Sequence, residues 1–244
     1  MRNGLVKFFS REDIQEALRL DNLEYCYDKL EKLVNANKVS SMVMSEFTSV
    51  LLAAGFDPLN YTDKIYGCQY ISLPLTDINI PSNIKSIGWS AFYGCKKLKK
   101  VIMSNGIVEI NEMAFEECTG LTDIAISENV KKIGWNAFFN CQKLKSVTIP
   151  DSVTEISSCA FRDCAGLKTV TIGSNVIDIG NMAFYDCTSL TNITIPDNVN
   201  SIGTMAFFGC TSLTDVTIPQ RFKDEKDLRK SFGDLINKIN FTFI

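Results

Sequence analysis

Six of the nine cysteines recur at a fixed interval of 23 residues and are the first candidates for chemistry in this chain. They are Cys95, Cys118, Cys141, Cys164, Cys187 and Cys210. A structural zinc ion needs four ligands in a tetrahedron, with Zn–S bonds of ~2.3 Å. A row with one thiol per repeat does not supply that geometry, so we predict no metal site. We expect buried, reduced thiols that fill space and donate weak S–H hydrogen bonds to nearby backbone.

The chain contains no histidine, which removes the commonest general base and metal ligand. Two enzymatic alternatives remain. One is thiol chemistry at Cys159, which falls outside the 23-residue phase, and the other is a carboxylate site around Glu116, Glu117 and Asp163. Because no histidine is available to activate a thiol, the residues favour an incidental surface thiol at Cys159. We therefore predict a protein without catalytic residues, cofactor or metal.

Charge gives little indication of a polyanionic partner. The 25 basic and 28 acidic residues are mixed along the chain and give a net charge of −3, so we expect neither nucleic acid nor a membrane as partner. The basic run at Lys96, Lys97, Lys99 and Lys100 has no glycine-rich phosphate loop beside it and is typical of a solvated face. The start resembles no secretory signal and no stretch is apolar enough to span a bilayer, which predicts a cytoplasmic protein with reduced thiols.

The six cysteines belong to an eight-residue signature, Ala-Phe-x-x-Cys-x-x-Leu, which first occurs at Ala91–Leu98 and last at Ala206–Leu213. A fixed period of about 20–29 residues with apolar residues in phase is typical of a solenoid, whose coils bury their apolar sides against each other. We expect the aromatic residues of the signature to stack in the interior beside the thiols. They are Phe92, Phe115, Phe138, Phe161, Phe184 and Phe207.

Each signature is preceded by a segment that alternates apolar and polar residues, as in Val147-Thr148-Ile149. Period-two alternation with β-branched residues predicts a half-buried strand, and such strands should pair in parallel from coil to coil. A proline often follows and should end the strand, because it lacks an N–H group. The Val-x-x-Ile-Gly segment then predicts a turn and a second short extended piece, and Ala-Phe-x-x-Cys predicts about one helical turn.

This repeat resembles the leucine-rich repeats of the BspA-like, or Treponema pallidum, class over about residues 75–219. The resemblance implies an α/β solenoid, a leucine-rich repeat array that is curved and right-handed with a parallel sheet on its concave side. It also implies a role in binding other macromolecules. Members of the family are often found on cell surfaces, so it implies a cell-surface adhesin if an export route exists.

An open solenoid exposes apolar residues and strand edges, so both ends should be covered. We predict a helical N-terminal cap at 1–73, the solenoid at 74–220 and a short C-terminal cap at 221–244. The N-terminal cap is inferred from two helical patterns, one with apolar residues at Leu23, Cys26, Tyr27, Leu30, Leu33 and Val34, the other with Met44, Phe47, Val50, Leu51 and Ala54. The C-terminal cap should contain a helix over 222–230 and a final strand over 239–244.

Aromatic residues at the variable positions of the repeat are the candidate partner-binding residues. Trp89 and Trp135 share one column, and a second column contains Tyr93, Phe139, Tyr185 and Phe208, with Glu116 and Arg162 in the remaining copies. Exposed aromatic side chains are common hot spots for protein partners. The alternative is that the rings pack over the next coil, and the threonine column of the strands could itself accept an extended segment.

We therefore predict a non-enzymatic protein-binding module whose partner is another protein. The alternative is an intracellular inhibitor or host-takeover factor of phage or mobile-element origin.

Overall fold

The computed structural model describes residues 23–35, 45, 48–49, 51–52, 58–60 and 62–244. The repeats form a parallel-sheet β-solenoid of about eight turns, which confirms the predicted leucine-rich repeat array. Its interior is one continuous apolar core that runs from Leu59 to Ile239.

Each coil contributes a long strand and a short strand. The short strands are β1 (Lys64–Ile65), β3 (Ser86–Ile87), β5 (Glu109–Ile110), β7 (Lys132–Ile133), β9 (Glu155–Ile156), β11 (Asp178–Ile179) and β13 (Ser201–Ile202). The long strands are β2 (Asp77–Ile80), β4 (Lys100–Met103), β6 (Asp123–Ala125), β8 (Ser146–Ile149), β10 (Thr169–Ile172), β12 (Asn192–Thr194), β14 (Asp215–Ile218) and β15 (Asn240–Phe243).

The short strands form the uninterrupted sheet, with seven strands in the order β1-β3-β5-β7-β9-β11-β13. The long strands form three hydrogen-bonded groups, β2-β4-β6, β8-β10 and β12-β14-β15, rather than the single sheet that the alternation predicts. Each break falls beside one of the two three-residue strands, β6 and β12, which offer fewer backbone groups to the next coil.

Register follows the repeat, so equivalent side chains lie in columns along the solenoid. In β8 and β10, Val147 pairs with Val170 and Thr148 with Thr171, a separation of one repeat. The valines point inward and the threonines outward, as the alternation predicts.

The Ala-Phe-x-x-Cys segment is a series of tight turns instead of the predicted helical turn. Within a coil, the Cys118 N–H donates to Phe115 O (3.2 Å), whereas the Phe115 N–H donates to Ala137 O of the next coil (2.8 Å). Two residues per coil adopt positive φ angles, which a right-handed helix does not allow. The residues before alanine are Ser90, Met113, Asn136, Cys159, Met182 and Met205, and those before cysteine are Gly94, Glu117, Asn140, Asp163, Asp186 and Gly209.

A partial coil precedes the first recognisable repeat. Strand β1 pairs with β3, and the Tyr70 ring stacks on Phe92 with centroids 5.0 Å apart. Gln69 and Leu73 stand where the signature has alanine and cysteine, which is why the pattern did not reveal this coil. The boundary predicted between 73 and 74 stays a prediction, and β1 lies on its N-terminal side.

Helix α1 (Leu23–Asn35) packs against this partial coil. Its Cys26, Tyr27 and Leu30 are buried, and the Tyr27 ring stacks on Tyr66 at 4.9 Å. Lys64 lies within 3.3 Å of Asp28 and 3.5 Å of Glu31 on the helix. Residues 45, 48–49 and 51–52 are also helical, while Met44, Phe47, Val50 and Ala54 of the second predicted helix lie outside the described residues.

The C-terminal segment continues the pattern of the coils without repeating their sequence. After a 3-10 turn at Gln220–Phe222, helix α2 (Glu225–Phe232) begins with the Asp224 carboxylate accepting from the Lys226 N–H at 2.8 Å. The Phe207 N–H donates to Ser231 O (2.9 Å), and the Phe232 ring stacks on Phe207 at 4.9 Å. Ser231 and Phe232 thus occupy the places of the next Ala-Phe pair. A 3-10 segment (Gly233–Asn237) leads to β15, which pairs in parallel with β14.

Nowhere in the described ranges does a helix have both the length and the apolar character that crossing a bilayer requires.

Candidate functional site

The repeat thiols bridge successive coils. All six are fully buried, and each Sγ donates to the carbonyl of the aromatic residue in the preceding coil at 3.0 to 3.3 Å. Burial raises the pKa of Cys95, Cys164 and Cys210 to about 12, so these thiols stay protonated at neutral pH. A protonated, enclosed thiol is a poor nucleophile and a poor metal ligand.

The interior aromatic residues form one stack. Successive rings lie nearly parallel, with centroids 4.9 to 5.4 Å apart, from Tyr70 through the six repeat phenylalanines to Phe232. Each repeat phenylalanine is 0% exposed. This stack fixes the position of the residue that follows each phenylalanine, which points outward.

The carboxylates considered for acid–base chemistry are not brought together. Glu117 accepts the Asn140 amide (2.9 Å), Glu116 accepts the Asn136 amide (3.3 Å), and Asp163 lies 3.4 Å from the Arg162 guanidinium. Glu117 and Asp163 belong to coils that are two repeats apart, and Asn140 occupies the coil between them. Among the described residues, no cluster of histidine, cysteine or acidic side chains could hold a metal ion.

Cys159 is half-buried at one of the left-handed positions, where its N–H donates to Asn181 O (2.9 Å). Its column otherwise contains serine, asparagine and methionine, so the thiol is not part of the buried row.

The predicted partner-binding residues all lie on the turns, but they differ in exposure. Trp135 is 45% exposed and Phe208 39%, whereas Trp89, Tyr93, Phe139 and Tyr185 are half-buried. The Trp89 ring covers the neighbouring coil, since a Cβ built on Gly67 would come within 2.4 Å of its Nε1 atom. Both possibilities considered for the rings are therefore present, with Trp89 packed on Gly67 and Trp135 largely uncovered.

Four neighbouring side chains in the second column form a continuous strip, which we call the aromatic ridge: Phe139, Arg162, Tyr185 and Phe208. The Arg162 guanidinium lies between two rings, 5.5 Å from the Phe139 centroid and 5.1 Å from Tyr185. Tyr185 stacks on Phe208 at 5.5 Å. Phe208 in turn lies over Gly233, where an added Cβ would be 2.7 Å from the ring. The ridge therefore extends from the third complete coil to the C-terminal segment.

The outer face of the long strands is polar and open. Thr148, Thr171 and Thr194 are exposed at equivalent positions of successive repeats, while Ile102 in the same column is 42% exposed. At these positions the face presents hydroxyl and methyl groups, and in the neighbouring column the exposed Asp77, Lys100 and Asp123 lie in register.

A polar ladder three or four residues after the ends of β6, β8, β10 and β12 was missed by the sequence reasoning. Asn129, Asn175 and Asn198 each donate a side-chain amide hydrogen to a backbone carbonyl of the preceding coil, at 2.6 to 2.9 Å. Ser152 does the same with its hydroxyl (2.6 Å). The recurrence of short polar residues at this phase was the available signal. A shallow groove of about 460 Å³ lies beside the ladder, lined by Lys131, Asp151, Ser152, Thr154, Asn175, Ile177, Asn198 and Asn200.

Comparison with protein families finds six copies of the BspA type leucine rich repeat region, at residues 63–188 and 136–228. Among solved structures, a leucine-rich repeat protein of Treponema pallidum is similar, with 31% identity over 74% of this chain and 75% of that chain and a TM-score of 0.56. A leucine-rich cell surface protein of Faecalibacterium prausnitzii is 22% identical over 69% of this chain and 60% of its own, with a TM-score of 0.35.

The comparison with curated proteins found no match. The family match begins at residue 63, within the partial coil, and extends into α2, so it covers all six repeat thiols and the stacked rings from Tyr70 to Phe207. The repeat signature, the parallel-sheet solenoid and the matched region agree. The chain therefore belongs to the BspA-type leucine-rich repeat family.

Proposed function

We propose that this chain is a non-enzymatic protein-binding module that acts through the outer surface of its leucine-rich repeats. The observation that carries the proposal is the set of aromatic side chains on the turns, which the core does not require. Trp135, Phe139 and Phe208 are exposed or half-buried while the neighbouring Phe138 and Phe207 fill the core. Large rings held by a stiff backbone lose little conformational entropy on binding, and such residues dominate the affinity of protein interfaces.

The chemistry of the buried groups supports a binding role over catalysis. The repeat thiols are enclosed and their pKa values are raised by burial, and the sequence has no histidine. Glu116 and Glu117 each accept an amide, and Asp163 is paired with a guanidinium. A catalytic site needs a base and a reacting group within hydrogen-bond reach. The described side chains instead place aromatic rings on the turns, where a partner can contact them.

Affinity capture with variant proteins tests the proposal. We expect a native partner to be retained by the wild-type chain and lost with Trp135→Ala or Phe208→Ala. The matched control is Thr148→Ala with Thr171→Ala on the long-strand face, which should retain the partner because it leaves the turns intact. Turnover of a metabolite by the purified protein, with no macromolecule captured, would overturn the proposal.

We further propose that the protein acts in the cytoplasm. The seven cysteines of the repeats are free thiols, although six of them lie in one row with one thiol per coil. Thiols persist in reducing compartments and are oxidised in secreted proteins. Lysis of the cells under denaturing conditions in the presence of an alkylating reagent, followed by mass spectrometry, should find all seven thiols labelled. Recovery of disulfide-linked repeat peptides would contradict a cytoplasmic location.

A further inference from the structure

The turns of the repeat form a single surface whose composition differs from the rest of the solenoid. We define this turn face as segments 89–94, 112–117, 135–140, 158–163, 181–186 and 204–209, one from each signature. Within each segment the Ala-Phe pair is buried, and the other four residues are exposed or partly covered, except that Ser90 and Gly94 of the first segment are buried. Apart from the glycines and small polar residues, these outward positions hold aromatic rings, methionines and charged groups.

The apolar part of the turn face is continuous. The aromatic ridge spans four coils, and Trp135 (45% exposed) and Met205 (39% exposed) flank its two ends. Three interstrand spacings of ~4.8 Å give the ridge a length of ~14 Å. That distance corresponds to ~10 residues of an α-helix, or about three turns, at a rise of ~1.5 Å per residue.

The charged part of the turn face is strongly acidic. The six segments contain five carboxylates and a single basic residue, and they contain no lysine. The carboxylates belong to Glu112, Glu116, Glu117, Asp163 and Asp186. The one cation, Arg162, is already held between Phe139 and Tyr185 and lies 3.4 Å from Asp163. Its charge therefore offsets one carboxylate and leaves the others without a basic neighbour on this face.

The adjoining strip carries the opposite charge. In the four residues after each cysteine, at 96–99 and its equivalents, there are six lysines and no acidic residue. All six are exposed: Lys96, Lys97, Lys99, Lys143, Lys145 and Lys168. The acidity of the turn face is thus a local pattern with a sharp boundary, which would orient a charged partner and keep it off the lysine strip.

We infer that the turn face between residues 112 and 209 binds a cationic amphipathic helix of a partner protein, with the apolar side of the helix on the aromatic ridge and its lysine or arginine residues over the turn carboxylates. This inference rests on the proposed protein-binding function and names the face and the chemistry of the partner. Apolar anchors spaced at i, i+3, i+4 and i+7 match a ridge about three helical turns long. Acidic residues beside exposed rings match basic residues on the flanks of such a helix.

The electrostatics of the turn face favour the approach of a cation. Desolvation raises the pKa of Glu116, and the neighbouring Glu117 raises it further. Desolvation also raises the pKa of Asp163, against the opposing effect of Arg162. These carboxylates are therefore held in a setting that disfavours their charge, and a bound cation would relieve it.

The probe for the test is a synthetic peptide of roughly 14 residues built from leucine and lysine, with the leucines on one helical face. Two control peptides have the same length: a scrambled leucine–lysine peptide without an apolar face, and a leucine–glutamate peptide with one. Binding of fluorescently labelled peptides to the full chain is followed by polarisation at about 0.05 M and about 0.15 M salt. The amphipathic cationic peptide should bind at least about tenfold more tightly than either control, and more weakly at the higher salt.

Two pairs of variants locate the site. Phe208→Ala should weaken binding about tenfold, whereas Thr171→Ala on the long-strand face should not change it. Asp186→Asn removes one turn carboxylate at a left-handed position that asparagine tolerates (φ 54°), and should weaken binding and its salt dependence. The control is Glu128→Gln, an exposed carboxylate outside the turn face, which should leave both unchanged.

Three results would overturn the inference: tighter binding of the leucine–glutamate peptide, equal binding of the scrambled peptide, or equal effects of Asp186→Asn and Glu128→Gln. The first would move the site to the lysine strip. A native partner that is captured through Trp135 but has no basic amphipathic helix would refute the inference while leaving the protein-binding function intact. The function itself fails only if no partner depends on the turn face.

Discussion

Phe138→Ala is the sharpest test of the shared interior. The Phe138 side chain is 0% exposed, and its ring stacks on Phe115 at 5.2 Å and on Phe161 at 5.1 Å. Truncation of a buried phenylalanine costs about 3–5 kcal/mol, and the loss of two stacked neighbours places this change near the upper end, at about 5 kcal/mol. Such a loss is a large fraction of the ~5–15 kcal/mol that stabilises a typical folded domain.

The adjacent residue supplies a matched control. Phe139 is also phenylalanine, but it is half-buried on the aromatic ridge, where its main ring contact is Arg162 at 5.5 Å. We expect Phe139→Ala to cost only about 1 kcal/mol. Urea unfolding of both variants should be followed by circular dichroism and tryptophan fluorescence. Equal losses for the two variants, or a loss below about 2 kcal/mol for Phe138→Ala, would refute the reasoning.

The same experiment reports on cooperativity. Coils of a solenoid contact only their neighbours, so a gap at Phe138 should weaken the coupling between the coils on either side. Both tryptophans, Trp89 and Trp135, lie N-terminal to the gap. Fluorescence therefore follows one block and circular dichroism follows both, and the two transitions should separate in Phe138→Ala but coincide in the wild type.

Three further changes test other parts of the structure. Burial raises the folded-state pKa of Cys164 to about 12, whereas the pKa of an unfolded thiol is ~8.5. The protonated thiol therefore contributes fully to stability below pH ~8.5, and this contribution is lost as the pH rises towards 12, by up to ~1.4 kcal/mol per pH unit. Cys164→Ala should flatten the slope of stability against pH in urea titrations between about pH 8 and about pH 10, and an unchanged slope would argue against buried thiols. Met205 has a φ of 57°, so Met205→Gly should be about 1 kcal/mol more stable than Met205→Ala, the reverse of the usual order; urea midpoints in the usual order would contradict the left-handed turn. The raised pKa of Glu116 means that stability increases as the pH falls through that pKa, and Glu116→Gln should remove this increase from thermal unfolding curves; identical pH profiles would show that its desolvation is negligible.

The architecture could be predicted because every copy of the repeat places the same residue types at the same phase. Phe138 and Cys141 are determined by the packing of one coil on the next, and that packing recurs in each unit. The partial first coil was missed because its backbone continues the solenoid while its side chains do not follow the signature. Tyr70 stacks as a phenylalanine would, but Gln69 and Leu73 replace alanine and cysteine.

The turns were misjudged for a related reason. Left-handed backbone is usually signalled by glycine, yet only Gly94 and Gly209 among the twelve left-handed repeat positions are glycines. Hydrogen bonds to the next coil, such as Phe115 N–H to Ala137 O at 2.8 Å, hold methionine, aspartate and glutamate in that conformation. The usual preference of these residues for negative φ angles is overridden by hydrogen bonds to another coil. Such hydrogen bonds cannot be inferred from the local sequence.

The exposure of the candidate partner-binding residues could not be predicted from the sequence either. Trp89 and Trp135 occupy equivalent positions, but Trp89 lies against Gly67, whereas the equivalent neighbours of Trp135 are Glu112 and Ser158. Whether a ring is covered depends on the residue one repeat away, so the same column contains a packed tryptophan and an open one.

The C-terminal segment that covers the last coil bears on how repeat proteins of this kind gain or lose units. Ser231 and Phe232 imitate an Ala-Phe pair, and within the repeat array they contact Phe207, whose equivalent every complete coil possesses. The closing segment is therefore compatible with any unit of the array. Gain or loss of whole 23-residue units would alter the length of the turn face without requiring a new closing segment, so duplication and deletion change the size of this surface while the fold persists.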